Sequence, residues 1–251
     1  MSSMLYSDYD ALAQIYTEMY SQPYDEDIMQ LLEKLFLQHL PQQAHILDLC
    51  CGSGDLTVPL LEGGYQVTGL DGSEAMLDYA RIKAPGGKFL LGDARCYKFE
   101  PTFHGAIAAG DSLNHMIELE DLKSVFQNVF ATLLDDGLFG FNMSMEEMYQ
   151  SENWDRELQA GVTDKLVWVW KQNYNSENKI GQRQITIMQL IDGNWQRLDR
   201  VLASKAYTVS EIKSVLEDTG FREIRYYDLE RDLGVSNALG NTVFICRKSI
   251  D

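Results

Sequence analysis

The chain has 251 residues, 45% of them hydrophobic and 24% charged, which suits one large folded domain or a domain with an insertion and argues against broad disorder. Its 21 Lys and Arg against 38 Asp and Glu give a formal charge of −17, and no basic cluster offsets that field, so long nucleic acids are poor partners. No apolar run approaches the ~18 residues of a membrane span. The N-terminus lacks the basic start and apolar core of a secretory signal. Cys50, Cys51, Cys96 and Cys246 show neither C-x-x-C pairing nor zinc spacing, so a reducing cytoplasm and no metal site are expected.

In chain order, residues from Tyr6 to about Met19 have the spacing of an amphipathic helix, with Leu12, Ile15 and Tyr16 on its apolar side. Pro23 interrupts it, and Tyr24 to Leu40 predicts a second helix that Pro41 stops. Ala44 to Leu49 is a short apolar run of the kind that forms a buried parallel strand. It carries Asp48 and runs into a turn of small residues, Cys50, Cys51, Gly52, Ser53 and Gly54, with Asp55 placed to cap the next helix. Strand, glycine turn and helix open a Rossmann-type nucleotide site, where a missing Cβ lets backbone approach a ligand. Tyr65 to Leu70 predicts a second strand. It ends in Asp71, 17 positions beyond Gly54, near the point about 20 residues past the glycine turn where such a unit places its ribose carboxylate. Ser73 caps a helix, Lys88 to Leu91 predicts a third strand ending at Asp93, and Gly105 to Gly110 a fourth ending at Asp111. Leu119 to Leu134 predicts a helix and Gly137 to Met143 a fifth strand. Four carboxylates at strand ends, beside a glycine turn, mark the ligand-binding edge of an open α/β sheet.

The pattern changes after Ser144. Lys165 to Asn175, Lys179 to Ile191 and Trp195 to Tyr207 alternate as three long strands, the last two joined by Asp192, Gly193 and Asn194, a hairpin signal. The α/β pattern resumes with a helix from Val209, capped by Thr208 or Ser210 and ended by Gly220, and two further strands, Phe221 to Leu229 and Asn241 to Arg247. The expected fold is therefore α/β: a Rossmann-like, mostly parallel seven-stranded sheet with helices on both faces, plus an inserted antiparallel β meander. Residues 1–143 and 208–251 form the sheet domain, with 1–41 as a helical cap. Residues 144–207 form the insertion, expected to cover the substrate or to make a subunit interface in a homodimer.

These residues together resemble the class I S-adenosylmethionine-dependent methyltransferases, in particular the small-molecule type with an antiparallel insertion near the C-terminus. The resemblance spans nearly the whole chain. The family's first motif runs acid, any, Gly, small, Gly, any, Gly; here it reads from Asp48 to Gly54, with Cys50 in place of the first glycine. The resemblance implies S-adenosyl-L-methionine as cofactor. It places the amides near Gly52 and Gly54, with Cys50 and Cys51, at the methionyl carboxylate, and Asp48 near the ammonium. Asp71, with Gly72 beside it, matches the acid on the ribose hydroxyls. Met76 lies against the adenine, which Asp93 and Ala94 bond and flank. The run AAGDSLNHM, with Gly110 and Asp111, borders the methionine portion. Tyr16, spaced with Tyr9 and Ala13, matches an N-terminal helix that closes over the cofactor. Thr57 stands where a dinucleotide fingerprint needs its third glycine, against a nicotinamide enzyme. The expected reaction is methyl transfer to nitrogen or oxygen of a small molecule, with His115 as candidate base and Tyr174 as candidate substrate contact. An exposed tRNA nucleoside as acceptor, or a non-catalytic S-adenosylmethionine-binding module, are the alternatives.

Overall fold

The computed structural model describes residues 9–19, 26–151, 154 and 158–249. Helices α1 (Ala13–Met19) and α2 (Glu26–Leu35) precede the sheet. Then come β1 (His45–Leu49), α3 (Thr57–Glu62), β2 (Gln66–Asp71), α4 (Glu74–Lys83), β3 (Lys88–Leu91), β4 (Phe103–Ala108), α5 (Leu119–Thr132) and β5 (Leu133–Ser144). A short α6 (Glu146–Gln150) leads into β6 (Gln159–Val162), β7 (Leu166–Asn175), β8 (Ile180–Ile191) and β9 (Asn194–Lys205). Helix α7 (Val209–Thr219), β10 (Phe221–Asp228) and β11 (Asn241–Lys248) complete the chain. No helix among the described residues is long and apolar enough to cross a membrane.

The predicted seven-stranded sheet is present, in the order β10-β11-β5-β4-β1-β2-β3. Strands β1 to β5 pair in parallel, and β11 runs against both its neighbours. The chain steps outward from β1 through β2 and β3, then returns to place β4 on the other side of β1. That reversal opens a crevice at the carboxyl ends of β1 and β4, where sheets of this kind bind ligands. Both faces are covered. Phe126 and Val129 of α5 and Ile212 and Leu216 of α7 pack with Phe139, Phe141 and Phe244 on one side. Phe36, Leu56 and Leu60 pack on Ile46, Val67 and Ile107 on the other.

Local chemistry sets the element ends. Ser73 accepts from the Met76 amide at the start of α4. Thr208 and Glu211 close a reciprocal capping box on α7, and Gly220, at φ 114°, ends it. Asp192 and Gly193 have φ of 49° and 79°, the paired positive values of a two-residue type I′ hairpin.

Four expectations shift. A turn at Ala11 and Leu12 separates Tyr9 and Asp10 from α1, whereas one helix is predicted there. Tyr6 and Tyr24, expected in the first two helices, and Pro23, expected to separate them, lie outside the described residues. The second helix stops at Leu35, before the predicted Leu40: Phe36 leaves helical geometry at φ −132°, and a 3-10 turn spans Leu37–His39. The Phe36 ring fills the space that missing Cβ atoms leave at Gly105 and Gly140, where an added Cβ would stand 2.9 Å from it. The fifth strand begins at Leu133, four residues early, because a register shift between Phe103 and Gly105 absorbs the turn at Asp136, φ 62°. The meander has a fourth strand, β6, on its edge.

The inner face of that four-stranded sheet presents Leu166, Trp170, Ile185, Ile187 and Leu202, which bury Leu12 and Ile15 of the N-terminal segment. The N-terminal segment is thereby held beside the carboxyl edge of the large sheet.

Candidate functional site

The turn after β1 is built on left-handed backbone. Cys50, Gly52 and Gly54 have φ of 59°, 52° and 80°. At Gly52 an added Cβ meets no protein atom within 4 Å; at Gly54 it would stand 3.1 Å from the Cβ of Ala80 on α4. Gly52 thus keeps open space over the turn, and Gly54 allows turn and helix to touch. Cys50 adopts the same conformation with a Cβ, at about 1–2 kcal/mol for an L-residue in this region. Both small replacements lose the thiol, so their difference isolates the backbone effect. We expect Cys50→Gly to be more stable than Cys50→Ala by about 1 kcal/mol, the reverse of the usual glycine penalty, in paired urea titrations. An alanine variant as stable as the glycine variant would show that the backbone is not strained.

Asp48 is 2% exposed and accepts from Thr57 Oγ1 at 2.6 Å. Burial pushes its carboxyl up to about 7. Asp55 does not cap α3, whose first residue follows Leu56 with no side-chain cap. It accepts instead from Ser53 Oγ at 2.5 Å and from Lys83 Nζ at 2.6 Å. Asp71 holds the turn from the neighbouring strand. Its Oδ2 accepts from the Gly52 amide at 2.8 Å and its Oδ1 from the Ser73 amide at 2.9 Å. Burial raises its pKa, and the backbone bonds from Ser73, Gly52 and Gly72 oppose that rise. Ser73 Oγ in turn donates to Asp10 at 2.5 Å, which ties the N-terminal segment to α4.

Asp93 is gripped by Arg95, whose Nη2 lies 2.7 Å from Oδ2 and whose amide donates to Oδ1 at 2.8 Å. This pair went unread in the sequence, although acid and arginine stand two residues apart. Ala94 and Met76 are buried and line the same space as Asp93.

At the end of β4, Gly110 and Asp111 form a second left-handed pair, φ 69° and 56°. The half-buried Asp111 carboxylate accepts from Asn142 Nδ2 at 2.6 Å, Asn241 Nδ2 at 2.8 Å and Ser144 Oγ at 2.9 Å. Burial raises its pKa; the Ser144 and Asn241 bonds and the charge of Arg183 pull it back. His115 spans the site. Its Nδ1 lies 2.8 Å from the Ala203 carbonyl and its Nε2 2.8 Å from the Tyr9 hydroxyl. A carbonyl only accepts, so Nδ1 carries the proton and Nε2 accepts from Tyr9. Burial pushes the ring down to about 4, which keeps it neutral at pH 7.

These groups line one cavity of about 860 Å³. Its near wall is the carboxyl edge: Asp48, the turn from Cys50 to Ser53, Asp71, Gly72, and Gly92 to Arg95. Its far wall reaches Tyr149, Trp154, Arg183, Leu202 and Ser204, and Tyr16 lines it from the N-terminal segment. Tyr174 does not line the cavity. Its ring stacks behind Tyr149, centroids 5.4 Å apart, and its hydroxyl donates to Glu146 at 3.0 Å. The far-wall residues were invisible in sequence, because nothing in a strand's alternation says which face meets a distant sheet edge.

Residues 46–137 match a family model described as a methyltransferase domain. Over 223 residues the chain is 27% identical to "Putative methyltransferase YqeM" of Bacillus subtilis (strain 168), covering 85% of this chain and 86% of that protein. A solved S-adenosylmethionine-dependent methyltransferase from Clostridium acetobutylicum ATCC 824 aligns with a TM-score of 0.77 at 20% identity, covering 96% of this chain and 99% of that one. S-adenosylmethionine-bound CalS10, an amino pentose methyltransferase from Micromonospora echinaspora involved in calicheamicin biosynthesis, aligns at 0.70 with 16% identity, covering 94% and 97%. The structural likenesses agree on the fold; the matched domain and the curated relative carry the activity.

Proposed function

We propose that the chain is a class I S-adenosylmethionine-dependent methyltransferase with S-adenosyl-L-methionine as its cofactor, a reading its methyltransferase domain and methyltransferase relative support, and that its acceptor is a small-molecule amine. The observation that carries this reading is the single cavity of about 860 Å³ running from the sheet edge to the four-stranded sheet. That volume suits a nucleoside cofactor and a small acceptor together. In this reading the meander, residues 144–207, covers the acceptor.

The residues present fit the cofactor. Gly52 leaves the open cradle that a Cβ would fill, and the Asp71 carboxylate stands at the rim to accept ribose hydroxyls. Gly110 lines the same cavity and would border the methionyl part. Met76 and Ala94 offer apolar surface to the adenine, with Asp93 beside them. Asp48 answers the ammonium, and Cys50 and Cys51 line the turn. When bound, S-adenosylmethionine supplies a methyl on a positive sulfur, transferred by in-line displacement. The chain's part is then to align, desolvate and exclude water.

Two features favour nitrogen over oxygen. An alcohol needs a base to take its proton; a neutral amine already carries its lone pair. His115, the candidate base, is neutral with Nε2 engaged by Tyr9, so it serves better to anchor the N-terminal segment than to abstract a proton. Asp111, fixed by three donors, offers an amine a carboxylate acceptor. The relative resemblance to an amino pentose methyltransferase points the same way.

The test is S-adenosylhomocysteine production with a panel of amines, amino sugars, alcohols and unmodified tRNA, with mass spectrometry of the products. We expect turnover with amines and a gain of one methyl on nitrogen. Turnover confined to alcohols or tRNA, or cofactor binding without turnover on any member, would overturn the reading.

A further inference from the structure

In the reading above, the cofactor is met along the ends of β1 to β4, and the side of the cavity toward β5 and β11 has no task. The paired residues Asn241 and Ser144, Val243 and Asn142, and Ile245 and Gly140 share one face of the large sheet, with Ile107 of β4 beside Gly140. That face is polar at one end, where Asn142, Asn241 and Ser144 hold Asp111, and apolar behind it. Helix α2 covers the apolar part. Its Leu32 and Leu35 pack in one cluster with Phe36, Ile107, Val243 and Ile245. Ile28 and Leu31 continue the same helical stripe. These four aliphatic side chains of α2 all line the cavity and are only half-buried. A stripe with the spacing of a core face therefore borders open space.

A second aliphatic wall comes from the connection between β10 and β11, where Leu229 and Leu233 line the cavity. This connection is tied down. The Leu229 amide donates to the Asn241 carbonyl at 2.8 Å. The Asp228 carboxylate accepts from the amides of Glu230, Arg231 and Gly240 at 3.1, 2.8 and 3.0 Å, and the Glu230 carboxylate accepts from the Ala238 amide at 3.0 Å. Both walls are thus in place before any ligand arrives. Space bounded this way favours apolar surface: each methylene it takes from water is a gain, and a hydroxyl there would lose its water partner without replacement. The ammonium, carboxylate, ribose and adenine of the cofactor are all answered on β1 to β4, so the cofactor brings nothing to these walls. They are continuous, within one cavity, with the polar end at Asp111, where the acceptor nitrogen is placed above.

We propose that the acceptor carries an aliphatic group of several carbons, and that this group lies against α2 and the β10–β11 connection while its nitrogen stands at the polar end beside Asp111. This rests on the small-molecule amine reading above and narrows it. Leu31 and Leu233 touch no reacting atom. They select the acceptor through the apolar area they remove from water, and that remote binding fixes the direction from which the nitrogen meets the methyl.

The test is methyl transfer by the full chain to straight primary amines from ethylamine to hexylamine, which ionise alike. A polar twin of hexylamine, with a hydroxyl in place of the terminal methyl, completes the set. In the wild type we expect kcat/KM to rise about 4-fold with each added methylene until the space is filled. Hexylamine should exceed its hydroxyl twin by about 10-fold or more. Leu31→Gln and Leu233→Gln, on separate elements, should each lower the ratio of kcat/KM for hexylamine to that for ethylamine by about 10-fold. S-adenosylhomocysteine affinity, measured by calorimetry, should stay within about 3-fold of wild type in both, which also reports that they are folded. If amines are methylated with no gain along the series, or the hydroxyl twin serves as well as hexylamine, the amine reading stands and this proposal falls. A gain that both folded variants keep overturns it too, since the aliphatic group then lies elsewhere. If no amine is methylated, calorimetric titration of the same compounds into the S-adenosylhomocysteine complex separates the claims. Affinity that climbs with chain length and drops in the two variants sustains the apolar site while the amine reading falls; affinity indifferent to chain length overturns both.

Discussion

Replacing Asp71 with alanine should weaken S-adenosylhomocysteine binding by about 100-fold or more, a loss of roughly 3 kcal/mol or above. A ribose contact alone would account for the lower part of that range. The structure adds a second consequence, because the same carboxylate accepts from the Gly52 amide at 2.8 Å and the Ser73 amide at 2.9 Å. Gly52 sits at φ 52° in a turn with open space above it, so the carboxylate helps hold the cradle in shape as well as meeting the ligand. Alanine removes a charged acceptor for the ribose and leaves a backbone donor of the turn without its partner. Asparagine is no rescue, since its amide nitrogen would face one of the two backbone N–H groups. Calorimetry with S-adenosylhomocysteine checks both variants, and urea titration reports the expected smaller loss of stability, on the order of 1–2 kcal/mol. An affinity within about 3-fold of wild type would take Asp71 out of the site.

The near wall of the cavity was legible in the sequence and the far wall was not, for a physical reason. A strand that ends in a carboxylate, followed by a turn of small residues, constrains its own neighbourhood. Asp48, Gly52, Asp71 and Gly110 therefore fall together once the strands pair in parallel. Capping is local too, which is why Ser73 and Thr208 are where their spacing puts them. Arg183, Tyr149 and Trp154 come to the cavity through the docking of a whole sheet onto the N-terminal segment, and period-2 alternation is blind to that. The missed strand β6 has four residues, none of them buried, so no hydrophobic signal marks it. Asp55 shows the opposite failure. A plausible local rule gave it a capping role, but Lys83, 28 residues away, takes its carboxylate. Tyr174 shares an alternation face with Trp170, yet Tyr149 stands between it and the cavity.

Asparagine at position 48 should stabilise the protein at pH 8 by roughly 2–4 kcal/mol and have almost no effect near pH 4. Asp48 is 2% exposed, and its carboxyl is lifted to about 7 by burial first, with Asp71 and Asp55 adding to the rise and the Thr57 hydrogen bond opposing it. In the unfolded chain the same group loses its proton near 3.8. Between those values the folded form binds a proton that the unfolded chain has released, so stability falls as pH rises from about 4 to about 7, and the whole penalty is present above that. Asparagine is never charged and its oxygen can still accept from Thr57, so its urea midpoint should lack this fall. A position that destabilises the folded chain at neutral pH is explained by the ligand: a buried carboxylate beside the turn is favourable once an ammonium is brought to it. In the wild type, S-adenosylhomocysteine should therefore bind more tightly at pH 8 than at pH 6, and the asparagine variant should bind weakly with little of that pH dependence. If the two proteins share one slope of stability against pH, Asp48 is not the titrating group, and its charge cannot be what the cofactor meets.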